Sequence, residues 1–181
     1  MMKTKLLTLL TLLWMSLAAG AQVIPDTLLF VFKLHGQTRR FEMSFEEKND
    51  TVSLIWGIER KLKWLSGTYT MMPENVENGS SLSFLQPEDK NHVTLPAGET
   101  VYMIGRKAYR TLKTTGEMDY NRTTYRLLDT DDRALSLPLL HVKDTVENEE
   151  MWILDHPTLP LVWRMKDNPL EINWTAEEIR K

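Results

Sequence analysis

Residues 41–58 run Phe41-Glu42-Met43-Ser44-Phe45-Glu46, then Glu47-Lys48-Asn49-Asp50, then Thr51-Val52-Ser53-Leu54-Ile55-Trp56-Gly57-Ile58. On the first arm Phe41, Met43 and Phe45 alternate with Glu42, Ser44 and Glu46; on the second, Val52, Leu54, Trp56 and Ile58 fall at every other position. A period of two places alternate side chains on opposite faces of an extended chain, so each arm reads as a strand with one buried face. Asn49-Asp50 separates the arms, and both residue types start tight turns readily. The stretch predicts a β-hairpin.

The pattern extends in both directions. Leu28 to Phe32 is apolar on both faces and predicts a strand covered on two sides, turning at His35-Gly36 into the hairpin. Strands are expected over Thr68–Met72, Leu82–Phe84, His92–Leu95, Thr100–Ile104, Met118–Tyr120 and Thr124–Leu128. Others follow at Leu135–Val142, Met151–Leu154, Leu159–Met165 and Glu171–Trp174. Pro138 and Pro160 fall inside two of these, which predicts edge positions or bulges there. One helix is expected over Arg106–Thr115: Ala108 and Leu112 share a face, Arg106, Arg110 and Lys113 share another, and Gly116 is placed as a left-handed C-cap. Pro73 to Val76 fits a single helical turn, and Glu177 to Lys181 a solvated tail. Short strands joined by hairpin turns define an all-β fold, an antiparallel meander. A sheet this long curls into a barrel, half-barrel or sandwich, with the helix packed against it. An outer-membrane barrel does not fit, because Glu42 and Glu46 put charge on a second strand face.

Residues 1–21 have the layout of a secretory signal peptide: Lys3 and Lys5, an apolar run from Leu6 to Leu17, and Ala19-Gly20-Ala21 as the cleavage pattern. Residues 22–181 then form one β-rich domain, large enough to bury a core without covalent staples. The chain has no cysteine, so neither a disulfide nor a lipoprotein-type anchor is chemically possible. An exported chain without disulfides fits a bacterial envelope, either periplasmic or extracellular and soluble. Losing Lys3 and Lys5 takes the formal charge from −3 to −5, which argues against nucleic acid and against bulk anionic membrane as partners. No apolar stretch after Gln22 has the length of a spanning helix.

Few residues propose chemistry. The four histidines, His35, His92, His141 and His156, show no metal-ligand spacing, although His92 and His141 could meet if their strands do. Asp155-His156 is adjacent in sequence, but neighbouring side chains on an extended segment point apart, so adjacency makes no dyad. Asp129, Asp131 and Asp132 make an acidic turn that lacks the glycine of a calcium loop. No nucleophile elbow and no phosphate-binding glycine loop is present. The basic helix face of Arg106, Arg110 and Lys113 is either solvated or a contact for phosphate or an acidic partner. Asn49, Asn78, Asn121 and Asn173 fit the N-glycan acceptor triplet, a pattern that turn-rich β proteins also generate freely.

The aromatics carry the strongest functional suggestion. Phe30, Phe32, Trp56, Trp152 and Trp163 are candidate walls of a pocket for an apolar ligand; the alternative is that large rings simply fill the core of a cysteine-free domain.

Three blocks carry a resemblance: Gly67-Thr68-Tyr69-Thr70-Met71 through Pro87-Glu88-Asp89; Trp152-Ile153-Leu154-Asp155 through Pro160-Leu161-Val162-Trp163; and the ending Asn168-Pro169-Leu170-Glu171-Ile172-Asn173-Trp174. Together they resemble an uncharacterised group of exported, β-rich bacterial proteins, which implies export and fold class but assigns no catalytic residue and no cofactor. In architecture the chain is similar to the periplasmic half-barrel lipoprotein carriers.

The leading expectation is an exported, non-enzymatic binding protein of the bacterial cell envelope, holding an apolar, lipid-like small molecule between curved sheet and helix. The alternative is a protein-interaction or structural module with a solid core that docks another envelope protein. A third reading is a hydrolase using His92 or His141 with a nearby acid.

Overall fold

The structure is a computed structural model describing residues 24–85 and 91–179. The expected signal peptide and cleavage site, Pro87-Glu88-Asp89 and the last two residues of the expected tail lie outside the described residues.

The hairpin read from residues 41–58 lies inside the sheet, paired on both sides. Strands β2 (Gln37–Lys48) and β3 (Thr51–Arg60) pair antiparallel from Glu42↔Gly57 to Lys48↔Thr51. Asn49 and Asp50 close the turn with φ of 51° and 59°, the left-handed geometry that matches the twist of a two-residue hairpin. Phe41, Met43, Val52, Leu54 and Trp56 are all buried on one side, as the alternation requires.

The remaining strands extend this pair. On one flank lie β1 (Thr27–Leu34), β14 (Ile172–Glu178), β13 (Val162–Lys166), β12 (Glu150–Leu154), β11 (Leu137–Asp144), β9 (Thr123–Leu127) and β8 (Glu117–Tyr120), in that spatial order. On the other lie β4 (Lys63–Met71) and β6 (His92–Thr94), while β10 (Arg133–Ala134) adds to β11. Every contact in this sheet is antiparallel except β4 with β6; β5 (Ser81–Leu82) and β7 (Glu99–Thr100) make a separate parallel pair. The fold is therefore all-β, with the expected helix α2 (Arg106–Thr115) packed against it and a short α1 (Pro73–Asn78) where a single turn was expected.

The registers sort the connections to two ends of the sheet. Leu34↔Gln37, Arg60↔Lys63, Tyr120↔Thr123, Lys143↔Glu150 and Leu34↔Ile172 put the β1–β2, β3–β4, β8–β9, β11–β12 and β13–β14 connections at one end, called the rim. Helix α2 belongs to the other end. Its Arg106 donates to the Thr158 carbonyl at 2.7 and 2.9 Å, in the β12–β13 loop, and to Glu47 at 2.7 Å, near the β2–β3 turn. Tyr109 and Leu112 form its buried face, and Gly116 (φ 76°) ends it with an N–H bond to the Leu112 carbonyl. Where the ends of the two helices meet, Gly79 and Gly105 touch backbone to backbone: a Cβ on Gly105 would lie 2.3 Å from the Gly79 carbonyl oxygen. Asn75 fixes the same corner, accepting from the Met72 N–H at 3.0 Å and donating to the Pro96 and Glu99 carbonyls.

Val101-Tyr102-Met103-Ile104 departs from expectation. It is not a sheet strand: after β7 the chain runs as core filling, all four residues being buried, and meets the sheet through a lone bridge, Met103↔Leu161. Tyr102 sits at φ 52°. A run apolar on every side suits the middle of a curved sheet as well as it suits a buried strand, and periodicity does not separate the two. Two corrections are smaller. The tail begins later than expected, because Glu177 and Glu178 pair with Leu29 and Leu28 of β1. Pro160 lies outside β13, its carbonyl accepting from the Ile104 N–H at 3.1 Å, whereas Pro138 is the second residue of β11. The irregularity in this region is a bulge at Trp163, since Trp152 pairs with Arg164 but Ile153 with Val162.

Candidate functional site at the rim

Three connections at the rim enclose a cleft of about 480 Å³, bordered also by Leu82 of β5 and by Phe84 just after it. Its floor is a buried polar knot. Glu149, in the β11–β12 loop and 3% exposed, accepts from the Tyr125 hydroxyl at 2.5 Å and from the Asn168 side-chain amide. Tyr125 comes from β9 and Asn168 from the β13–β14 turn, so one carboxylate ties strand, loop and turn together. Neighbouring bonds complete the set. Asn121 donates to Tyr125 at 3.3 Å and accepts from the Leu82 N–H at 2.7 Å, while the Asn168 side-chain Oδ1 accepts from the Leu170 N–H at 2.9 Å. Asp144 accepts from the backbone N–H groups of Val146 and Glu147, shaping the loop that carries Glu149.

Burial costs a carboxylate its hydration, and that loss is the largest influence on Glu149. It pushes the pKa above the ordinary range; the bonds from Tyr125 and Asn168 pull the other way, and the nearby charges of Asp144 and Glu147 add to the rise. The Tyr125 hydroxyl is also raised, first by burial and then by the charge of Glu149. The mouth of the cleft differs from its floor. Val146 is 72% exposed and Leu170 56% exposed, which makes two apolar lips, and Arg122 and Glu147 add one charge of each sign. A rigid polar floor under apolar lips suits a small amphiphile: hydrophobic area is gained at the lips, and polar groups face charged and amide partners.

The five aromatic candidates line no common cavity among the described residues. Phe30, Phe32 and Trp56 lie inside the curve of the sheet, linked through Phe41, which meets Phe32 and Trp56 edge-on at 5.6 and 6.0 Å. The space they would wall is taken by Tyr102. A crevice of about 10 Å³ beside Phe32, Leu34, Phe84 and Leu85 is what stays open, room for a single water centre. Trp152 stands on the opposite, convex face, stacked on His141 at 4.0 Å and covered by Arg164 at 4.4 Å. Trp163 is buried at the β13 bulge.

His92 and His141 do not meet, since β6 and β11 are separated by the whole run from β4 to β12. His141 does meet a carboxylate, Glu150, at 2.8 Å, and Asp132 lies 3.8 Å from its other nitrogen. The pair sits in the convex-face stack with Trp152, whose Nε1–H donates to Asp132 at 2.9 Å; the principal clefts among the described residues contain none of these groups. Asp155 turns away from His156 to accept from Tyr109 at 2.5 Å and Lys113 at 2.7 Å. The basic helix face is spoken for within the chain: Arg106 pairs with Glu47, Arg110 with Glu77 and Lys113 with Asp155. Among the described residues no group of three or more histidine, aspartate or glutamate side chains is arranged to hold a metal, and no helix is long and apolar enough to cross a membrane.

Sequence reasoning missed Tyr125, Glu149 and Asn168. Each reads locally as an ordinary strand or turn residue, and they come together only through the order of β9, β11, β12 and β13. The available signal was weak: Glu147 to Glu150 is an acidic loop that ends directly in an apolar strand, so one acid had to be drawn under cover.

The class that fold and site define is an all-β domain with a filled curved sheet and a cleft at its rim. Comparison with known protein families, curated proteins and solved structures finds no match.

Proposed function

We propose that the chain is an exported, non-enzymatic binding protein of the bacterial envelope, and that its ligand, a small apolar or amphiphilic molecule, sits in the rim cleft. The carrying observation is the pairing of exposed Val146 and Leu170 at the mouth of a 480 Å³ cleft with a floor organised beforehand by Glu149. Exposed apolar residues flanking a concavity stabilise the complex when covered, and a rigid floor spares the ordering cost of binding. The sequence-based idea of a ring-walled interior gives way to the rim because Tyr102 occupies that interior. A protein-docking role draws on the same two lips, and the size of the bound species separates the two readings.

The test is a titration of the purified protein with single-chain amphiphiles, followed by thermal shift. The native chain is expected to be stabilised, and Val146→Asp with Leu170→Asp to lose that response while retaining its own melting temperature. An equal response in the double variant, or none in the native chain, would refute the proposal.

A further inference from the structure

We propose that the β3–β4 hairpin docks this protein on an anionic lipid surface. Its tip reads Arg60-Lys61-Leu62-Lys63-Trp64, with Arg60 paired to Lys63 across a two-residue turn. Lys61 and Leu62 both have positive φ, 51° and 59°. That turn favours Asn-Gly, so neither residue is there for the sake of the backbone. Nor does Leu62 serve the core: it is 93% exposed, the most exposed large apolar residue among those described. Two residues along the chain from Leu62, Trp64 is 56% exposed although it has a seat, its indole packing where a Cβ on Gly57 would come within 2.2 Å.

Positive charge surrounds these two apolar groups. Arg39, Arg40 and Arg60 share with Trp64 a surface groove of about 430 Å³, and Lys61 and Lys63 flank Leu62; Glu42 and Glu59 are the acids in the same groove. The chain carries a formal charge of −3, so this basic corner stands against the average. Net charge argues against general attraction to anionic membrane, but it does not describe one corner. An apolar tip, an indole behind it and flanking lysine and arginine match a bilayer interface by depth: acyl boundary, headgroup level, phosphate. The basic face of α2 is closed to this role by its own carboxylate partners, whereas Lys61 and Lys63 stand exposed at a turn. The inference stands whether or not the rim cleft holds a ligand.

The experiment is flotation of the full protein with vesicles of phosphatidylcholine alone and of equal parts phosphatidylcholine and phosphatidylglycerol. Binding is expected to the anionic vesicles and not to the neutral ones, with a blue shift of tryptophan emission and a decline as salt is raised. Leu62→Asp, and Lys61→Gln with Lys63→Gln, should each lower partitioning at least about tenfold. Aspartate tolerates positive φ better than leucine, so Leu62→Asp keeps or raises the melting temperature and its effect cannot be blamed on misfolding. Equal binding to both vesicle types, binding to neither, or native-like binding by these variants would overturn the proposal. So would retention by an acidic polypeptide with the vesicles left unbound.

Discussion

The ring of Tyr102 stands edge-on to that of Trp174, 5.2 Å away at 90°, in the middle of the curve of the sheet. Phe30 and Phe32 close around the same ring at 5.4 and 5.6 Å, so the chain fills its own interior with a loop instead of leaving it to a ligand. Burial pushes the pKa of the Tyr102 hydroxyl up and keeps it protonated, and it donates to the Leu85 carbonyl at 3.3 Å.

Tyr102→Ala should therefore cost about 3–5 kcal/mol, the range for deleting a buried aromatic ring. It should also open an apolar chamber that a fluorescent hydrophobic dye enters. Tyr102→Phe, which loses one hydrogen bond, should cost about 0.5–1.5 kcal/mol and bind no dye. Chemical denaturation and dye titration check both.

Gly105 tests close approach against conformational freedom. Gly105→Ala drives a Cβ to within 2.3 Å of the Gly79 carbonyl oxygen, a backbone atom that cannot swing aside. About 1–3 kcal/mol should be lost. Gly36→Ala meets nothing within 4 Å but must hold φ at 80°, so its cost of about 1–2 kcal/mol is conformational. Restoring Gly36 as Asn should recover much of that loss, whereas no side chain rescues position 105.

Arg106 joins the β2–β3 end of the sheet to the β12–β13 loop, and its side chain is only 13% exposed. Lysine reaches one acceptor where the guanidinium serves Thr158 and Glu47 together. Arg106→Lys should cost about 1–2 kcal/mol. Lys113→Gln, which breaks a more exposed pair with Asp155, should cost at most about 1 kcal/mol.

The raised pKa of Glu149 makes a signed prediction about pH. Between the unfolded and folded values the native state holds a proton that the unfolded state has released. The contribution of this group to stability is therefore full below the unfolded value, near 4.3, and is lost as pH rises through the folded one. The stability of the native chain relative to Glu149→Gln should fall as pH rises through that window and level off above it. Parallel denaturant titrations across acid to neutral pH measure the difference; a flat difference would mean that Glu149 is as well solvated folded as unfolded.

The β2–β3 hairpin was legible because alternation and an Asn-Asp turn are local, and α2 because its faces and Gly116 are local. The path of Val101–Ile104 was not, since burial on all sides leaves no period to read. Tyr125, Glu149 and Asn168 were invisible for a different reason: they meet through strand order, and register between residues up to 43 positions apart is set by the whole sheet. The five aromatic candidates are buried, but Trp152 was not recognisable as convex-face, because His141 and Arg164 stack on it and cover a ring that alternation alone would leave bare.

The most direct measurement is mass spectrometry of the organic molecules released from protein purified out of its native envelope fraction. A defined small amphiphile, present near one per chain in the native protein and missing from Val146→Asp with Leu170→Asp, is the predicted result. An empty native chain, or a molecule that stays with the double variant and leaves only when Phe32 or Trp56 is altered, would contradict binding at the rim.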